Sequence, residues 1–173
     1  SGSWVHHNRV GYLILEGDDA VAVAEPQSGS WHTINRVYPD KEETQDVFSL
    51  WIDHGATPRA ATYAYAVLPA KDVEAVTVAN RAFNVDILAN DPACQAVRDT
   101  VTGTLQAVFY DAPGEGARPE TDGLPRVDRP CLLQLVPTAA GVRLAVCSPS
   151  GEDGPLTVTL VGNYKGQGDT DIR

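Results

Sequence analysis

Four histidines, His6, His7, His32 and His54, are the side chains best suited to acid–base or metal chemistry in this sequence. His6 and His7 are neighbours, so on a strand they point to opposite faces and cannot grip one ion together. His32 and His54 stand far apart, and no cysteine or carboxylate pair lies at zinc spacing. The residues therefore predict no metal site and no cofactor. His54, inside Asp53-His54-Gly55, reads as a turn residue that hydrogen-bonds the loop backbone together with Asp53. The acidic pairs Asp18-Asp19 and Asp169/Asp171 lack the ligand number of a dedicated calcium site and read as solvated. The piece GNYKGQG has no strand–loop–helix setting, so it is no phosphate cradle.

One cluster points to sugar instead. In GSWHTIN, Gly29–Asn35, Trp31 stands beside His32, Asn35 and Arg36. An exposed indole offers a flat apolar face to a pyranose ring, and nearby amide or guanidinium groups bind hydroxyls or a carboxylate. The competing reading is that Trp31 wedges a loop onto a sheet. Trp4 and Trp51 read as core.

Strands must position these groups. The stretch from Phe48 to Pro69, FSLWIDHGATPRAATYAYAVLP, organises the rest of the chain. Two apolar runs, Val47–Ile52 and Thr62–Leu68, flank a polar connection, Asp53–Ala61, that holds Gly55 and Pro58. Both runs are strand-length and rich in β-branched and aromatic residues. Phe48, Leu50 and Ile52 share one face with Trp51 opposite, while Tyr63, Tyr65 and Val67 oppose Ala64, Ala66 and Leu68. Neither run has a clean polar face, so protein is expected to cover both sides.

Upstream, Trp4–His7 and Val10–Leu15 form the arms of a hairpin with Asn8-Arg9 at its tip. Ala20–Ala24 is a short strand ended by Pro26, Gly29–Asn35 a loop or irregular edge, and Tyr38–Gln45 a charged, solvent-exposed excursion. Lys71–Asn80 is the expected helix, with Val73 and Val76 three apart and an acidic first turn. A boundary falls at 81/82. Beyond it, Phe83–Leu88, Gln95–Asp99, Thr104–Tyr110, Cys131–Val136, Val142–Cys147 and Leu156–Val161 are short strands with turn residues between them, the spacing of an antiparallel sandwich. Pro113–Pro125 reads as a long loop and the terminal GQGDTDIR as frayed. Three cysteines make no disulfide framework. Cys131 and Cys147 lie on the arms of one hairpin but on opposite faces, so buried thiols are expected rather than a bridge.

Composition narrows the partners. The 173 residues are 43% hydrophobic, enough to fill a core, and carry a formal net charge of −10. That charge argues against nucleic acid and against anionic membrane surfaces. No run of about 20 apolar residues exists, so no membrane span is expected. The opening SGSW lacks the charged region and apolar core of a signal peptide and reads as a linker or a cut end.

LWIDHG, then a proline, then ATYAYAVLP resembles the late β region of the family 8 polysaccharide lyases, the bacterial enzymes that cleave hyaluronate, chondroitin or xanthan. WVHHNRVGYLIL and GSWHTIN look like two further signatures in the same order, and FNVDILANDPACQAVRDTVTGTLQAVFY is similar to the start of the family's C-terminal domain. The resemblance implies an all-β fold: antiparallel β-sandwich layers, part of a large supersandwich, over 1–81, then a small C-terminal β-sandwich over 82–173, with one short helix between. It implies a secreted enzyme that cleaves a uronic-acid glycan by β-elimination, with hyaluronate placed first and chondroitin or xanthan next. The family's catalytic Asn, His, Tyr and Arg belong to motifs of an N-terminal helical domain. No position here matches those motifs, so no catalytic residue is expected in this segment. Tyr63 and Tyr65 read as core residues with a hydrogen-bonded hydroxyl. The implied partners are that helical domain and, through it, an acidic polysaccharide whose basic groove lies elsewhere. Two other classes stay open, a stand-alone carbohydrate-binding module and a purely structural β-sandwich module.

Overall fold

The computed structural model describes residues 3–17, 19–111, 123–149, 151 and 154–160. Asp18, Asp169, Asp171, GNYKGQG, most of the Pro113–Pro125 loop and the terminal GQGDTDIR lie outside these residues. The chain divides into two compact units, Ser1–Phe83 and Asn84–Arg173.

The first unit begins with a hairpin of β1 (Trp4–His7) and β2 (Val10–Glu16). Asn8 and Arg9 both take left-handed conformations, φ 45° and 68°, as a two-residue type I′ turn requires. The antiparallel sheet runs β1-β2-β5, with β5 spanning Ala64–Pro69. The helix α2 (Val73–Arg81) covers one face. It is capped by Asp72, whose side chain accepts from the Ala75 N–H at 2.8 Å. Glu74 in its first turn and Arg81 in its last complement the helix dipole. Val76 is fully buried against Leu13 and Ala70, with Trp4, Leu15, Ala66, Leu68 and Phe83 packed around them. His6 belongs to this side, its Nε2 3.0 Å from the Ala70 carbonyl.

Strands β3 (Asp19–Gly29) and β4 (Glu43–Asp53) form a separate two-stranded antiparallel ribbon of eleven residues per arm. Its base lies over the other face of the sheet. Phe48 stacks on His7 with ring centroids 4.1 Å apart and planes 8° apart, and meets Tyr12 at 6.0 Å. The two organising runs belong to different sheets, β4 paired with β3 and β5 with β2. At several other points the structure corrects the sequence. β3 continues through Pro26, and β4 begins at Glu43, inside the stretch expected to be an excursion. A two-stranded ribbon leaves every second N–H pointing outward, so a proline does not end it. A second short helix, α1 (Trp31–Ile34), stands where a loop was expected. Tyr63, Tyr65 and Trp51, expected in the core, are 54%, 55% and 45% exposed. Among the described residues only the face under α2 has a full roof.

The second unit is a closed sandwich. Its main sheet runs β11-β10-β8-β7-β6, all antiparallel, with β6 Val85–Asn90, β7 Cys94–Asp99, β8 Leu105–Phe109, β10 Cys131–Thr138 and β11 Gly141–Cys147. The small pair β9 (Arg126–Val127) and β12 (Val158–Thr159) faces it. Inward side chains at every second position, among them Cys94, Ala96, Leu105, Ala107, Phe109, Cys131 and Leu133, meet Leu124, Val127, Leu156 and Val158 from the other layer. Asp91 and Asp99 build the turns before β7 and β8 by accepting backbone N–H groups, Ala93 and Cys94 at 2.9 Å and Val101 and Thr102 at 2.8 Å. Cys131 is a buried free thiol as expected, but Cys147, expected to be buried too, is exposed, because it sits opposite Leu132 on the outer face of the sheet.

Candidate functional site

The sequence-predicted cluster sits where β3 hands over to β4. Ser30 caps α1: its Oγ accepts from the His32 N–H at 3.3 Å and donates to Asp40 Oδ1 at 3.3 Å. Thr33 Oγ1 donates to the Ser30 carbonyl at 2.6 Å. His32 Nδ1 donates to the Tyr38 carbonyl at 2.7 Å, and Asn35 Oδ1 accepts from the Val37 N–H at 3.1 Å. These local bonds tie a one-turn helix to the returning chain without a hydrophobic core. His32 and Asn35 are therefore latches, each with one polar atom already engaged. Trp31 is left 59% exposed, with the Tyr38 ring 6.5 Å away and tilted by 49°. Arg36 is exposed beside them. All four predicted residues come together at one ribbon tip.

Chemically this tip can stack and hydrogen-bond. It presents an indole face, a tyrosine edge, an amide and a guanidinium group.

Sequence reasoning missed a second aromatic group. A groove of about 530 Å³ opens between the bare face of the β1-β2-β5 sheet and β4. His54, Tyr63 and Tyr65 form a ladder along one wall, with ring centroids 6.1 and 6.3 Å apart and the two tyrosine planes within 14°. Ile14, Leu50 and Ile52 line it further in. His54 is carried by a turn in which the Asp53 carboxylate accepts the Gly55 N–H at 2.8 Å, the backbone role expected of Asp53. The signal was present in the sequence, since Tyr63, Tyr65 and Val67 alternate on one face. What it did not carry was whether that face was covered. Among the described residues no three His, Cys, Asp or Glu side chains stand together as a metal-holding group.

Comparison with known proteins agrees with this architecture. Residues 1–80 match the polysaccharide lyase family 8 super-sandwich domain, and residues 86–157 match the family's C-terminal beta-sandwich domain. A chondroitinase-AC of Pedobacter heparinus is 37% identical over 63% of this chain, which covers 16% of that protein. A hyaluronate lyase of Thermasporomyces composti is 32% identical over 92% of the chain and 20% of its own length. A xanthan lyase of a Bacillus species is 28% identical over 62% of the chain and 13% of its own. Among solved structures, a Paenibacillus xanthan lyase superposes with a TM-score of 0.68 at 28% identity, over 82% of this chain and 13% of that one. A chondroitinase AC lyase solved with oligosaccharides gives 0.67 at 28% identity, over 93% and 26%. The chain thus spans a fifth or less of these curated relatives. Two consecutive domain matches, in the family's order and over the two units that the fold separates, show that this chain belongs to polysaccharide lyase family 8.

Proposed function

We propose that this chain is the C-terminal β portion of a secreted bacterial polysaccharide lyase. The intact enzyme depolymerises a uronic-acid glycan, hyaluronate first and chondroitin or xanthan next, by β-elimination. A polar side chain neutralises the uronate carboxylate, which acidifies the C5 proton. A tyrosine takes that proton, the C4–oxygen bond breaks, and the leaving oxygen receives a proton, so the new sugar end carries a C4=C5 double bond. The helical domain carries those groups, and this segment braces it and shapes one wall of the cleft. The observation behind this reading is the pair of consecutive family domains on a chain that covers 13–26% of the lyases it superposes on.

The ribbon tip is the part of this segment that reaches the glycan. Trp31 supplies the stacking face, with Arg36 and Asn35 at its edge and His32 holding the turn. The test uses the intact protein with each polymer, following the ultraviolet absorbance of unsaturated products. Trp31→Ala is expected to raise KM several-fold with kcat little changed. An intact protein with no eliminase activity on any uronic-acid polymer would end the lyase reading, and an unchanged KM would end the role of Trp31.

A further inference from the structure

The main sheet of the second unit has an outward face that the lyase reading leaves without a role. Its side chains alternate, so residues turned away from the buried cluster share that face, while β9 and β12 pack on the other side. Strand register sets two rows across it, Gln95–Val108–Leu132–Cys147 and Val97–Gln106–Gln134–Ala145. Gln95, Gln106, Leu132 and Cys147 are all exposed. Tyr110 follows β8 and is 51% exposed. Its hydroxyl donates to Gln95 Oε1 at 3.1 Å, which holds the ring beside these rows.

The chemistry of the face chooses its occupant. Gln106 and Gln134 stand directly opposite each other, about 5 Å apart, and among the described residues neither amide has a hydrogen-bond partner. Each amide offers donors and an acceptor, the roles that neighbouring sugar hydroxyls answer. Val108, Leu132 and the Tyr110 ring form an apolar strip alongside, suited to the C–H face of a pyranose. Arg143, exposed on β11 opposite Val136, lies one diagonal step from Gln134, about 7–8 Å away. Neither row contains a carboxylate, and further along β7 the Asp99 carboxylate is taken up by the Val101 and Thr102 N–H groups at 2.8 Å. The local field therefore favours an anion on a chain whose net charge is −10. A protein partner would want an unbroken apolar centre, which the paired amides interrupt. From Arg143 to Gln95 the face crosses three strand spacings, about 14 Å, room for a short oligosaccharide.

We propose that this outward face is a second glycan-binding site, apart from the ribbon tip, for a uronate-containing chain. Arg143 pairs with a carboxylate, Gln106 and Gln134 bond ring hydroxyls, and Tyr110 with Leu132 packs against the apolar side of a sugar. The choice of a uronate glycan rests on the lyase reading. The site holds polymer to the enzyme and touches no reacting bond, and its exposed ion pair makes binding weaken as salt rises.

Cys147 is a built-in reporter, because its thiol lies in the same row as Leu132. Its rate of reaction with a disulfide reagent is followed on this chain and on the intact protein, with and without oligosaccharides of hyaluronate, chondroitin or xanthan. The expected result is several-fold slower labelling of Cys147 at saturating oligosaccharide in both samples. Gln106→Ala/Gln134→Ala and Arg143→Gln should each raise the oligosaccharide concentration needed for protection about tenfold, the loss of a charge-assisted or paired hydrogen bond. Trp31→Ala should leave that concentration unchanged. Absence of protection with all three glycans would overturn the proposal. Protection that is undiminished in both the double amide variant and Arg143→Gln would overturn it too. Eliminase activity is read on the same intact sample, so loss of the lyase reading and loss of this site register separately.

Discussion

Gly11 lies on β2 directly beneath α2, and the contact there is tight enough to predict a reversal of sign. A Cβ added at Gly11 would stand 2.9 Å from Val76 Cγ2 and 3.3 Å from Leu68 Cδ1. Gly11→Ala therefore overpacks the small core of the first unit, at a cost of about 1–3 kcal/mol. The stiffer chain offsets only about 0.5–1 kcal/mol of that. Val76→Ala alone removes two carbons from a fully buried site. At about 0.8 kcal/mol per carbon plus a cavity term, it costs about 2–3 kcal/mol. In the double variant the new methyl enters the space left by Val76. The summed cost should then fall short of additivity by about 1–2 kcal/mol, with the remaining Leu68 contact preventing full rescue. All three tryptophans, Trp4, Trp31 and Trp51, lie in the first unit, so tryptophan fluorescence in a urea titration reads that unit alone. Costs that add to within about 0.3–0.5 kcal/mol would refute the packing described here.

Other outcomes follow from the second unit. Phe109→Ala, at a position 1% exposed, should cost about 3–5 kcal/mol and speed hydrogen exchange in β7, β8 and β10. Only one thiol should react promptly with a disulfide reagent in the native chain. That thiol is Cys147, since Cys94 is buried and burial, aided by the nearby Asp128 charge, pushes the Cys131 thiol up. Backbone N–H groups hold two carboxylates below their ordinary range, Asp128 through Thr157 and Asp99 through Thr102. A depressed folded-state value means that their contribution is complete above the unfolded value of about 4 and fades as pH falls through the folded one. Acid titration of second-unit stability, followed by hydrogen exchange, should show this fall, and Asp128→Asn should flatten it.

Much of the second unit was legible because its strands alternate strictly and end at turn residues. The opposite faces of Cys131 and Cys147 followed from period-2 counting alone. The Asn8-Arg9 hairpin was also readable from turn chemistry, and the helix, expected over Lys71–Asn80 and found over Val73–Arg81, from the spacing of Val73 and Val76 and its acidic first turn. Strand pairing in the first unit was not. Alternation gives a strand its faces, and it says nothing of which neighbour bonds its edges, so β4 and β5 gave no sign of pairing apart. α1 is a single turn, too short for a helical period, and only Ser30 marks its start. Trp31, His32, Asn35 and Arg36 were found because they adjoin in sequence. Tyr63 and Tyr65 were misplaced into the core because their apolar strand looks the same whether or not a layer lies over it.

We propose that this segment supplies β architecture of the family's fold while the acid–base groups of the reaction lie outside it. The direct measurement is incubation of the purified chain, alone and at high concentration, with hyaluronate, chondroitin and xanthan. No rise in ultraviolet absorbance from unsaturated sugar is predicted, beside a clear rise from the intact protein under the same conditions. Release of unsaturated oligosaccharide by the chain itself would contradict the account.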